Sequence, residues 1–207
     1  MNVRVKICGI TSPDDAQAAV DAGADLIGLN FVPGAPRVLQ LAQADAIASR
    51  VAGQVELVAV FRDAAWSEIE RVLRRIEVER IQLHGDEPPE DVEQVDLPTI
   101  KALRGADEEA AARYPGSILL LDHPTHGGGQ GKAWNWADAG TLIGQGYDVI
   151  LAGGLDPETV GTAIEGVGDM LPWGVDVATG VESEPRRKDA AKMRAFVEAV
   201  RRAEGKE

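Results

Sequence analysis

Residues Val3–Phe31 read VRVKICGITSPDDAQAAVDAGADLIGLNF, and this stretch decides the fold. A β-branched run, Val3–Ile10, leads to Ser12-Pro13. That pair sets an N-cap residue ahead of a proline at the first helical position. The helical stretch Pro13–Ala22 stops at Gly23, where a C-terminal glycine belongs. A second apolar run, Asp25–Phe31, follows at once. Strand, helix and strand in this order make a βαβ unit, whose strands lie parallel with a right-handed crossover.

The same alternation continues outward from this unit. Further strands are predicted at Val55–Phe61, Arg80–His84, Thr99–Leu103, Ser117–Asp122, Asp148–Ala152 and Met170–Val177. Helical patterns lie at Leu41–Val51, Trp66–Ile76, Pro88–Gln94, Ala106–Arg113, Trp136–Ile143, Pro157–Ile164 and Lys188–Arg202. Asp156-Pro157 repeats the N-cap and proline signal. Eight strands alternating with eight helices predict an α/β fold, a single-domain (β/α)8 TIM barrel over residues 1–207. An open, doubly wound sheet is the alternative, because periodicity does not report closure.

The chain has 207 residues, enough to bury about 70% of its unfolded surface. Hydrophobic residues make up 44% and charged residues 27%, values that exclude a disordered chain. The formal net charge of -13 disfavours nucleic acid and anionic membranes as partners. It does not exclude an anionic substrate, since a few local donors hold one phosphate. One cysteine, Cys8, excludes an internal disulfide framework and a cysteine-clustered zinc site. No apolar run has the length of a signal peptide or a membrane span, so a cytoplasmic protein is expected.

In a barrel of this kind the C-terminal strand ends carry the chemistry. Residues two apart on a strand share a face. Lys6 and Cys8 therefore point together, as do Gln82 and His84. Lys101, Asp122 and Asp176 complete a recurrent set of polar residues near strand tops. A lone strand cysteine is ordinarily a small buried hydrophobe. A catalytic one needs surroundings that favour the thiolate, and Lys6 could supply the charge. Asp122 closes the apolar run Ile118–Leu121, a costly place for an unpartnered carboxylate. It is read as an acid or base, or else as a loop turn. Gly153-Gly154 and Thr179-Gly180 follow strands seven and eight, where such barrels commonly hold phosphate. The run Gly127–Lys132 lacks the G-x-x-x-x-G-K-[ST] spacing of a P-loop.

Six segments resemble the motifs of the phosphoribosylanthranilate isomerase family. They are Lys6–Thr11, Gln82–Glu87, Leu119–Asp122, Gly128–Lys132, Leu151–Leu155 and Gly174–Glu182, in matching order from residue 4 to about 200. The resemblance implies a (β/α)8 barrel of tryptophan biosynthesis. It would convert N-(5-phosphoribosyl)anthranilate to 1-(2-carboxyphenylamino)-1-deoxyribulose 5-phosphate by an Amadori rearrangement, with no cofactor and no metal. By the same resemblance Cys8 is the general base, Asp122 the general acid and Arg37 the anchor of the anthranilate carboxylate. The expected partner is a small phosphosugar, bound through His84, Asp176, Gly153, Gly154, Thr179 and Gly180, in a monomer or a homodimer.

There are departures from the family pattern. Pro33-Gly34-Ala35-Pro36 precedes Arg37 where serine is frequent before the proline, and Ala178 replaces a common serine near the phosphate. His123 stands where a smaller residue is expected, and His123 and His126 are read as solvated loop residues. A related indole-glycerol-phosphate synthase would show a lysine and glutamate set and an N-terminal extension. A pentose-phosphate epimerase would need metal ligands that three histidines do not form. A non-catalytic phosphosugar-binding barrel would have no use for both Cys8 and Asp122.

Overall fold

The computed structural model describes residues 2–122 and 136–205. Its central strands are β1 (Arg4–Cys8), β2 (Leu26–Asn30), β3 (Glu56–Phe61), β4 (Arg80–Leu83), β5 (Thr99–Arg104), β6 (Ile118–Asp122), β7 (Val149–Leu151) and β8 (Gly174–Val177). They pair in chain order, and β8 returns to β1 in parallel register, Lys6 against Asp176. The sheet is therefore closed, and the open doubly wound alternative falls. The helices are α1 (Pro13–Ala22), α2 (Leu41–Val51), α3 (Trp66–Leu73), α4 (Pro89–Glu93), α5 (Glu108–Ala112), α6 (Trp136–Gly144), α7 (Val160–Gly166) and α8 (Ala190–Gly205). None among the described residues is long and apolar enough to cross a membrane.

Local chemistry sets most of these boundaries. Ser12 Oγ accepts the Asp15 amide at 3.1 Å, and Gly23, at φ 93°, returns its N–H to the carbonyls of Ala19 and Val20. The first strand is shorter than expected because Gly9 turns the chain at φ 71°. The last is shorter because Pro172 cannot donate to the ladder. Asp156 does cap its turn, with Oδ1 taking the amides of Glu158 and Thr159 at 2.8 Å each. Regular helix begins only afterwards, at Val160.

The end of the chain departs most from the sequence reading. After β8 come a short 3-10 turn, Thr179–Val181, and a two-stranded hairpin of β9 (Glu182–Glu184) and β10 (Arg187–Lys188). Lys188 was expected to open the last helix. It lies in β10 because Asp189 is the cap, its Oδ1 accepting the amides of Ala191 and Lys192 at 2.8 and 3.1 Å.

Alternation along the strands makes two cores. Ile7, Ile27, Leu29, Ala59, Ile81, Leu119, Leu121 and Val175 belong to the cluster shared with the helices. Leu26, Val58, Ile100, Ile118, Leu120 and Ile150 fill the barrel interior. Below them the interior ends in charge. Arg4 and Arg80 both bind Glu56, at 2.7 and 2.8 Å, and both guanidinium groups lie against the Trp173 ring. The N-terminal end is thus plugged, and the C-terminal end carries the cleft.

Candidate active site

A cleft of about 540 Å³ opens at the C-terminal mouth. Cys8, Gln82, His84, Asp122 and Asp176 line it from four strands and the residue after one of them, and Gly153, Gly154, Thr179 and Gly180 line it from two loops. Of the other candidates, Arg37 lies at the rim behind Thr179, and Lys6 and Lys101 do not line the cleft.

Cys8 is the last residue of β1, in register with Gly28 of β2. A Cβ on Gly28 would stand 2.6 Å from the Cys8 sulfur, so the thiol rests on bare backbone. Beneath it Lys6, 1% exposed, donates to Asp176 Oδ1 at 2.6 Å. Burial pushes the Cys8 thiol up, Lys6 pulls it down, Asp176 pushes it up again, and the net direction is upward. Lys6 itself keeps its proton. Burial works against its charge, but the Asp176 carboxylate, its ion-pair and hydrogen-bond partner, holds the charge in place. Lys6 does supply the positive charge that the sequence offered, but burial outweighs it, so the Cys8 thiol is held above its ordinary value.

Asp122 ends β6, as the apolar run before it implied. Its Oδ2 lies 3.4 Å from His84 Nε2, and His84 Nδ1 lies 2.8 Å from Gln82 Nε2. Strands β7 and β8 separate Asp122 from Cys8 around the barrel, so the two groups enter the cleft from different sides.

The rim after β7 and β8 is built on glycine. Gly153 and Gly154 adopt φ of 91° and 81°. A Cβ on Gly180 would meet the Leu155 carbonyl at 2.1 Å, so only glycine lets the two loops touch. Backbone amides can approach an anion closely along such a rim.

Arg37 has a second partner that the sequence did not disclose. Its Nε and Nη2 grip Glu182 at 2.6 and 2.7 Å, and Nη2 also meets Thr179 Oγ1 at 3.2 Å. The planar fork expected for a substrate carboxylate is therefore closed on a protein carboxylate. Burial disfavours the Glu182 charge, yet Arg37 and Lys188 hold its carboxyl below the usual range. Arg37 also lies across Gly9, where a Cβ would stand 2.3 Å from its Cδ. The side chain thus ties the loop after β2 to the turn after β8. No local signal announces the Glu182 pairing, because Arg37 is 145 residues away in sequence.

Lys101 is a correction to the sequence reading. It faces the helices, 1% exposed, and donates to Glu87 Oε2 at 2.8 Å and to the Gly85 carbonyl at 2.5 Å. It braces the His84–Glu87 loop from behind instead of entering the cleft. The run Gly127–Lys132, His123 and His126 lie outside the described residues. Among the described residues, no group of three or more His, Cys, Asp or Glu side chains could hold a metal ion.

The closed barrel and its cleft define a (β/α)8 enzyme with ionisable groups and a glycine-lined rim at the C-terminal mouth. The family model for N-(5'-phosphoribosyl)anthranilate (PRA) isomerase matches residues 5–199, and the chain belongs to that family. An N-(5'-phosphoribosyl)anthranilate isomerase of Myxococcus xanthus is 44% identical over 209 residues, covering 97% of each chain. The crystal structure of phosphoribosyl anthranilate isomerase from Thermotoga maritima superposes with a TM-score of 0.89 at 35% identity, over 96% of this chain and 98% of that one. Another phosphoribosyl anthranilate isomerase was crystallised with reduced 1-(o-carboxyphenylamino)-1-deoxyribulose 5-phosphate. It matches at TM-score 0.84 and 32% identity, over 98% of this chain and 99% of that one.

Proposed function

We propose that the cleft isomerises N-(5-phosphoribosyl)anthranilate to 1-(2-carboxyphenylamino)-1-deoxyribulose 5-phosphate in tryptophan biosynthesis, with Asp122 as acid and Cys8 as base. The observation that carries this reading is the convergence of a thiol and a carboxylate in one cleft beside a glycine-lined rim. Asp122 gives its proton to the furanose ring oxygen, the C1–O bond breaks, and an imine forms. Cys8, as thiolate, takes the proton from the adjacent sugar carbon. The enolamine then tautomerises to the aminoketone. Proton transfers of this kind typically contribute about 10²–10⁴-fold each. The phosphate rests on backbone amides around Gly153-Gly154 and Thr179-Gly180, and His84 and Asp176 face the sugar. Loss of substrate fluorescence with purified protein tests the activity, and a purified, folded protein that leaves the substrate untouched rejects it.

The buried thiol predicts a pH profile. The base must be deprotonated, and Cys8 titrates above an ordinary thiol, about 8.5. The ionised fraction is therefore small at neutral pH and grows as pH rises. In Asp122→Asn, where no acid has to stay protonated, the expected result is a residual kcat/KM that climbs as pH rises through the ordinary thiol range. A plateau reached at or below neutral pH would contradict a high-pKa base.

Arg37→Met is expected to act twice. It should raise KM, with about 1.5–3 kcal/mol lost if a charge-assisted contact to the substrate carboxylate disappears. It should also lower the melting temperature, because among the described residues the Glu182 carboxylate then keeps only Lys188, at 3.2 Å. A lower melting temperature with unchanged KM would make Arg37 a clamp of the rim and not a substrate anchor.

A further inference from the structure

The segment Gln82–His84 holds an arrangement that the acid–base pair alone does not use. Both side chains enter the barrel interior from β4 and the residue that follows it, and Gln82 is 1% exposed. An amide nitrogen can only donate. At 2.8 Å from Gln82 Nε2, His84 Nδ1 must therefore be the acceptor. The neutral ring then carries its proton on Nε2, the atom 3.4 Å from Asp122 Oδ2. Hydrogen bonds in an unliganded catalytic site are commonly long and tighten when substrate is bound. The reverse amide orientation would put Gln82 Oε1 on His84 and set a bare Nε2 against Asp122. It would also strand a buried NH2 group, whereas the observed orientation leaves only Oε1 without a partner among the described residues.

We propose that Gln82 is a positioning residue that sets the His84 tautomer, so that His84 Nε2–H donates to Asp122 Oδ2 throughout the ring-opening step. The inference rests on the reading of Asp122 as the acid. As its proton passes to the ring oxygen and the C1–O bond breaks, Asp122 becomes a carboxylate. An N–H at Oδ2 stabilises that charge. The other tautomer would offer Asp122 a lone pair that competes with the ring oxygen for the same proton.

The test is the side-chain nitrogen spectrum of protein labelled with 15N-histidine. The chain has three histidines, and the His84 signals are those lost in His84→Gln. The wild type is expected to show His84 with a protonated Nε2 and a bare Nδ1. Gln82→Met, which keeps the side-chain length without the donor, should scramble the tautomer and lower kcat roughly five- to tenfold with little change in KM. A wild-type His84 protonated at Nδ1 would overturn the proposal. So would a Gln82→Met enzyme with unaltered tautomer or unaltered kcat. If that variant does not fold, the wild-type spectrum decides by itself. A folded wild type without isomerase activity would instead reject the function, while its spectrum still reports the tautomer.

Discussion

Cys8→Ala is expected to lower kcat by about 10²-fold or more, because it deletes the group that takes the carbon-bound proton. The structure limits the side effects of this change. The sulfur lies against Gly28 and above the Lys6–Asp176 pair, and Ala leaves that 2.6 Å ion pair intact. The variant should therefore fold, and product should still bind to it. Steady-state turnover together with product titration separates the two readouts. A Cys8→Ala enzyme with near-wild-type turnover would remove the thiol from the mechanism. Loss of product binding along with turnover would mark Cys8 as a packing residue.

Asp122→Asn is expected to cost a comparable factor, about 10² or more in kcat, with KM changing far less. The amide keeps the shape of the carboxyl and its contact with His84, but has no acidic proton for the ring oxygen. Ring opening would then depend on water, and the slow step should move to it. A substrate already opened to the imine would bypass the defect. If Asp122→Asn keeps wild-type kcat, the acid lies elsewhere in the cleft even if Cys8 is the base.

Much of this site was legible before any coordinates. The caps at Ser12 and Gly23 act over three or four residues, so a local pattern discloses them. Alternation placed Lys6 with Cys8 and Gln82 with His84, because side chains two apart on a strand share a face. The same rule was mute for Lys101. Its neighbours Ile100, Ala102 and Leu103 are apolar on both faces of the strand, as in any parallel sheet buried on both sides, and nothing local says which face looks inward.

The sequence by itself determined the order of strands and helices, the residues at the strand ends, and the glycines that a close-approaching backbone requires. These depend on propensity, capping and side-chain parity, all short-range. Only the tertiary structure decided that β8 closes on β1, which brings Asp176 to Lys6 and buries the Cys8 thiol, pushing it up. Only it closed the Arg37 fork on Glu182 and drew Lys188 into a hairpin. Charge state and pairing depend on burial and on partners distant along the chain. Both exist only once the barrel has closed, so a pattern of neighbouring residues cannot contain them.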